Sequence, residues 1–139
     1  MRVRVILLRD PRAVLRALAA LRDLTDARGR ALAPRDFWRR ETYTPHPRFV
    51  NCYLVVILPP PGRDPLALAR RAAELLEARK GVVLDWCAGT RAKGKAALLF
   101  VKPRAADAAT GKEVRVRIGR EDIAALARLA GAGERRRER

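Results

Sequence analysis

The chain predicts an α+β fold: a mostly antiparallel sheet of four to five strands with helices packed on one face, in the order β-α-β-α-β-β-β-α. Three observations carry this expectation. The longest apolar runs, Val3–Leu8 and Cys52–Leu58, have the length of strands and fall far short of a membrane span. Asp10-Pro11 and Asp64-Pro65 each follow such a run and open a leucine-bearing segment, as an N-cap followed by proline in the first helical turn does. Further strand signals then succeed one another from Val82 to Ile118, split by glycine-containing turns. A hydrophobic fraction of 49% is enough for a packed core.

The elements follow in order. In Met1–Leu8, β-branched residues alternate in part with Arg2 and Arg4, which predicts a strand. Leu15, Leu18, Leu21 and Leu24, with Val14 beside them, predict an amphipathic helix over Pro11–Ala27 that stops near Gly29. Residues 30–48 show no period and contain Pro34, Pro45 and Pro47. A connection this long in a small domain is often functional. Phe49–Leu58 is the strongest strand signal and ends at Pro59-Pro60-Pro61-Gly62. The second helix carries Leu68, Ala72, Leu75 and Leu76 on one face and stops near Lys80-Gly81. Val82–Ala88 and Lys95–Lys102 read as strands joined by the basic loop Gly89–Gly94. Val114, Val116 and Ile118 alternate with Glu113, Arg115 and Arg117, a half-buried strand with a basic outer face. A short helix over Arg120–Ala130 completes a single domain, 1–130. Gly131 and Gly133 introduce a charged tail, 131–139, expected to be disordered.

Charge points to a partner. Thirty-one Lys and Arg stand against 15 Asp and Glu, a net +16, and Arg outnumbers Lys 26 to 5. A compact domain so charged repels itself unless it meets a polyanion, and nucleic acid binds such a surface by releasing condensed counterions. Arginine's planar fork suits phosphate and also stacks on bases. The chain has no Gln, one Asn and one Met, a thermophile-like depletion that a GC-rich genome would partly mimic. No secretory leader is read at the N-terminus, so a cytoplasmic location is expected.

Three groups of residues form the expected binding surface. Phe37, Trp38, Arg39, Arg40, Tyr43 and Arg48 lie in a stretch that, to Phe49, holds four of the seven aromatics interleaved with arginine. Rings stack on unpaired bases while cations follow the backbone. The sheet face offers Arg2, Arg4, Asn51 and Tyr53, then Arg115 and Arg117, with Trp86 as a further ring. The hairpin tip offers Arg91, Lys93 and Lys95. The RNA-recognition signature Lys/Arg-Gly-Phe/Tyr-Gly/Ala-Phe is absent. Chemistry is weakly represented. Cys52 and Cys87 fit small core residues, and His46 is the only histidine, so neither a metal nor a cofactor is expected. Val83-Leu84-Asp85-Trp86-Cys87-Ala88-Gly89 resembles the first motif of S-adenosylmethionine-dependent RNA methyltransferases, where a strand ends at an acidic residue and runs into a glycine-rich turn. The next glycines are missing: Thr90, Arg91 and Ala92 stand in their place.

In size, charge, composition and the segments Phe37–Phe49 and Val82–Lys102, the chain resembles the ThermoDBP-type single-stranded DNA-binding proteins of hyperthermophilic archaea. The resemblance implies an antiparallel sheet backed by helices and an aromatic, basic cleft for single strands. The main family member ends in a leucine zipper, whereas this chain ends in Gly133-Glu134-Arg135-Arg136-Arg137-Glu138-Arg139, so dimerisation through a zipper is not expected. The expectation is a non-enzymatic binder of single-stranded nucleic acid, DNA or RNA, with little sequence preference, no membrane partner and a homodimer allowed. The alternatives are a subunit of a ribosomal or RNA-processing ribonucleoprotein, and an RNA-modifying enzyme built around Asp85.

Overall fold

The computed structural model describes residues 2–33, 52–91 and 95–137. They form β1 (Val3–Leu8), α1 (Pro11–Ala19), β2 (Arg22–Asp26), β3 (Cys52–Ile57), α2 (Pro65–Lys80), β4 (Val82–Arg91), β5 (Ala96–Asp107), β6 (Glu113–Arg115) and α3 (Arg120–Arg137). The strands make one sheet of order β1-β3-β5-β4-β2, with β6 also paired to β5, and every pairing is antiparallel. The α+β class and the antiparallel sheet agree with the sequence. The described residues form six strands, and their order gains a strand, β2, after α1.

Both Asp-Pro signals open helices. The Asp10 carboxylate accepts from the Arg12 N–H at 3.0 Å, and Asp64 accepts from the Leu66 N–H at 3.2 Å, each satisfying a donor the first turn leaves orphaned. Gly81 ends α2 in the left-handed conformation at φ 64°, which a Cβ would strain.

The first helix is shorter than the leucines suggest, and β2 replaces its second half. A spacing of three falls about 60° short of a full turn at each step, so four such leucines drift around the helix rather than holding one face. Val14 and Leu18, four apart, are the pair α1 buries; Leu24 reaches the same cluster from β2. β2 also occupies the free edge of β4, pairing Arg22 with Thr90 and Asp26 with Cys87. The turn after it is tied by Asp26, whose carboxylate accepts from the Arg28 and Arg30 N–H groups at 2.9 Å each. These tertiary and turn contacts override the helical preference of the segment.

Helices cover both faces, which corrects the expectation of one. Val3, Val55, Ile57, Leu84, Trp86, Leu99 and Val101 pack on the first face beneath Leu68, Ala72 and Leu76 of α2 and Leu126 and Ala130 of α3. Cys52, Leu54, Cys87, Leu98 and Phe100 point the other way and pack beneath Val14 and Leu18 of α1. This is why Cys52–Ile57 and Ala96–Val101 are unbroken apolar runs: a strand covered on both faces has no polar side to show. The two cysteines form no disulfide and are buried within the second cluster.

Two irregularities shape the sheet. Between Leu84 and Trp86 the β4–β5 register shifts, pairing Leu84 with Ala105 but Trp86 with Val101. The extra residues on β5 surround Pro103, a position where a strand tolerates a missing N–H. The Leu84 N–H finds its acceptor in the Glu77 carboxylate of α2 at 2.8 Å. Gly89 lies inside β4, where a Cβ would stand 3.0 Å from both the Arg22 carbonyl oxygen and the Leu21 Cβ. Gly89→Ala should therefore push β2 off the sheet edge and cost about 1–2 kcal/mol, read as a lower urea midpoint at unchanged slope. Wild-type stability in this variant would show that β2 does not press on β4. At the C-terminus, α3 keeps a helical backbone through Gly131 and Gly133 to Arg137, beyond the expected stop at Ala130.

Candidate nucleic-acid interface

α1 covers only part of the second face. Further along the sheet, the ends of β4 and β5 together with β6 leave that face open, and Val83 there is 58% exposed. The cations on this open surface follow from strand alternation. Val101 and Ala105 both pack in the first-face cluster, so Lys102 and Arg104 between them point to the second face. Val114, Val116 and Ile118 also pack on the first face, and Arg115 and Arg117 between them are exposed. Arg104 stands opposite Arg115 in the β5–β6 ladder. Like charges facing each other across a ladder cost up to about 1 kcal/mol. Two carboxylates offset part of this: Asp85 holds Lys102 at 3.3 Å, and Glu113 holds Arg104 at 3.5 Å. Arg115 and Arg117 make no ion pair among the described residues.

A cleft adjoins these cations from the first-face side, where Tyr53 and Val116 pack. β3 pairs with β5 only as far as Tyr53–Val101, and β6 takes over at Arg115–Arg104, so a notch separates them along one edge of β5. Pro103 lies at the notch, its carbonyl accepting from the Val116 N–H at 2.6 Å. The cleft holds about 450 Å³ and is lined by Leu7, Tyr53, Pro103, Arg115, Val116 and Arg117. It combines one aromatic ring, apolar walls and two arginines, the chemistry an unstacked base with its phosphate would meet.

The expected site residues divide three ways. Tyr53, Arg115 and Arg117 are brought together at the cleft. Arg91 and Lys95 are exposed at the opposite end of β5. Phe37, Trp38, Arg39, Arg40, Tyr43, Arg48 and Lys93, with Asn51, lie outside the described residues. Trp86 is corrected: it is a core residue, 4% exposed, on the first face. The Arg70 guanidinium lies 5.4 Å from its ring centroid, and Arg70 is itself anchored by donating to the Ala27 carbonyl at 2.9 Å. This covered ring is not on the open surface. The one open basic sheet face expected from Arg2, Arg4, Tyr53, Arg115 and Arg117 is corrected as well. Tyr53 packs toward the first-face cluster, whereas Arg4, Arg115 and Arg117 are exposed on the second face. Lys102 and Arg104 were missed, although a proline between two cations inside a strand signal marks a bulge that turns them outward.

Several carboxylates of the described residues serve the fold. Asp10 and Asp64 cap helices, and Asp26 and Asp107 close turns. Hydrogen bonds from backbone N–H groups, chiefly of Arg30 at Asp26 and of Thr110 at Asp107, hold both carboxyls below the usual range. Burial pushes the Cys87 thiol well up, so it stays protonated and unreactive. No group of three or more His, Cys, Asp and Glu among the described residues could hold a metal ion. β4 does not end at Asp85: the ladder with β5 continues through Gly89 to Arg91. The strand-to-turn geometry of a methyl-donor site is therefore not present at Asp85, which pairs with Lys102. No helix among the described residues is long and apolar enough to cross a membrane. No family model, no curated protein and no solved structure matches the chain.

Proposed function

We propose that the protein is a non-enzymatic binder of single-stranded nucleic acid with little sequence preference, the activity that the likeness to ThermoDBP-type proteins also implies. The observation that carries this reading is the cationic group Lys102, Arg104, Arg115 and Arg117, assembled beside the Tyr53 cleft against its own repulsion. A surface serving only solubility gains nothing from Arg104 facing Arg115; a phosphate backbone turns that cost into attraction. Phosphate contacts carry no sequence information, which gives the low specificity. Tyr53 supplies a stacking surface that favours unpaired bases over duplex.

The test is the salt dependence of binding to a labelled oligo-thymidylate. Each phosphate contact contributes a slope of about −0.7 in log affinity against log salt, so Arg104, Arg115 and Arg117 together give about −2 or steeper. Arg115→Glu with Arg117→Glu should weaken binding about tenfold, and Tyr53→Ala should cost about 1 kcal/mol on a single strand. No complex at low salt, or a slope near zero, overturns the proposal.

A further inference from the structure

We infer that the nucleic-acid strand crosses the outer surface of α1, with Arg12 and Arg16 as its central phosphate contacts, joining the two basic ends of the sheet into one track. This rests on the proposed binding activity and adds which face is used and which side chains carry the middle of the footprint.

The topology dictates the geometry. β1 and β2 are the opposite edges of the sheet path, so α1, which connects them, crosses the second face from edge to edge. It starts after Leu8, whose partner Cys52 adjoins the Tyr53–Val101 pair and hence the level of Lys102. It ends just before Arg22, whose partner Thr90 adjoins Arg91. Val14 and Leu18 of α1 are fully buried against the sheet. At 100° per residue, Arg12 and Arg16 lie roughly 160° and 200° around the helix from Val14, so they project away from the sheet. Both are exposed, and neither makes an ion pair among the described residues. The ridge stands between the group Lys102, Arg104, Arg115 and the pair Arg91, Lys95. These groups are separated by the run of β5 from Ala96 to Arg104, about 26 Å of strand. Without the α1 arginines that gap would break the track.

The two faces differ in charge, which selects this one. α1 contains no carboxylate. On the first face, α2 carries Glu74 and Glu77 among its cations, and α3 carries Glu121 and Asp122. There Arg79 and Lys80 are held by Asp122 at 2.9 and 2.7 Å. A polyanion therefore meets cations interspersed with carboxylates on the helical pair of the first face and cations with no carboxylate beside them along α1.

A charge-matched comparison tests the inference. One double variant is Arg12→Gln with Arg16→Gln. The other is Arg71→Gln with Arg128→Gln, exposed residues of α2 and α3 that remove the same net charge. Far-UV circular dichroism confirms that both remain folded, as substitutions at exposed helical positions should. Affinity for labelled oligo-thymidylate is measured across a salt series. The α1 variant is expected to bind about tenfold more weakly at low salt and to lose about 1.4 from the magnitude of the salt slope, two contacts' worth. The control is expected to change affinity less than about twofold with its slope intact, since screening confines each charge to its own neighbourhood. Equal losses in the two variants, or the larger loss in the control, overturn this inference while leaving the binding activity standing. A wild-type protein that does not bind overturns the activity and this inference with it.

Discussion

Trp86→Ala is expected to destabilise the protein by about 3–5 kcal/mol while leaving the affinity of the folded fraction for nucleic acid within about twofold of wild type. The ring is in the core beneath α2, in the cluster that contains Leu68, Ala72, Leu84 and Val101. Removing it leaves a cavity between sheet and helix that rigid strands on either side cannot close. It also strands Arg70, whose guanidinium packs on the ring while holding the turn after β2 through the Ala27 carbonyl. Folded domains are stable by only about 5–15 kcal/mol, so the loss is a large fraction of the whole. Urea unfolding of the variant reads the stability, and titration well below its midpoint reads the binding. A variant of wild-type stability that loses affinity would place Trp86 on the nucleic acid after all. Trp86→Phe should restore most of the stability and none of the binding, because there is none to restore.

The burial of Trp86 was legible in the chain, although its chemistry drew attention elsewhere. Val82, Leu84, Trp86 and Ala88 share one side of β4, while the other side begins with Val83 and Asp85. Aromatic identity suggested stacking, but its place in the alternation puts it inward. The same holds for the sheet as a whole. Asp10-Pro11, Asp64-Pro65 and Gly81 mark helix ends by local chemistry, and the structure uses all of them. The unbroken run Cys52–Ile57 already contained the two-faced burial, since a strand with one solvated side would alternate. β2 was hidden because its evidence is not local. Leu21 and Leu24 continue the leucine spacing of α1, and only the free edge of β4 and the Asp26 turn decide for a strand. Arg115 and Arg117 were readable from their alternation with Val114 and Val116. Lys102 and Arg104 carried a weaker signal, Pro103 between two cations, because the proline breaks the strand pattern at the bulge. That Arg104 faces Arg115 is a matter of register, which depends on the Thr110-Gly111 turn and its neighbours in space rather than on composition.

Asp122→Ala is expected to cost about 2–3 kcal/mol, with an acid dependence that identifies the cause. Asp122 is the third helical residue of α3, and its carboxylate reaches back to accept from the Gly119 N–H at 2.9 Å. It also accepts from Arg79 at 2.9 Å and pairs with Lys80 at 2.7 Å, so one buried carboxylate fastens the last turn of α2 to the first turn of α3. Burial alone would raise its pKa. The hydrogen bonds from Lys80, the Gly119 N–H and Arg79 outweigh that and lower it from 3.8 to about 2. Because the folded value is the lower one, the unfolded chain takes up the proton first. The contribution of Asp122 is complete above 3.8 and fades as pH falls toward about 2. The stability gap between wild type and Asp122→Ala, from urea unfolding at successive pH values, should therefore be constant near neutrality and shrink through that window. It shrinks because the wild type loses the ion pairs, not because the variant gains any. Asp26 and Asp107 titrate in both proteins and cancel in the difference. A gap that stays constant down to pH 2 would mean that Asp122 acts by packing alone. A variant as stable as wild type at neutral pH would mean that α3 is held over Val116 and Ile118 by its apolar contacts, Leu126 and Ala130 foremost, without the help of this carboxylate.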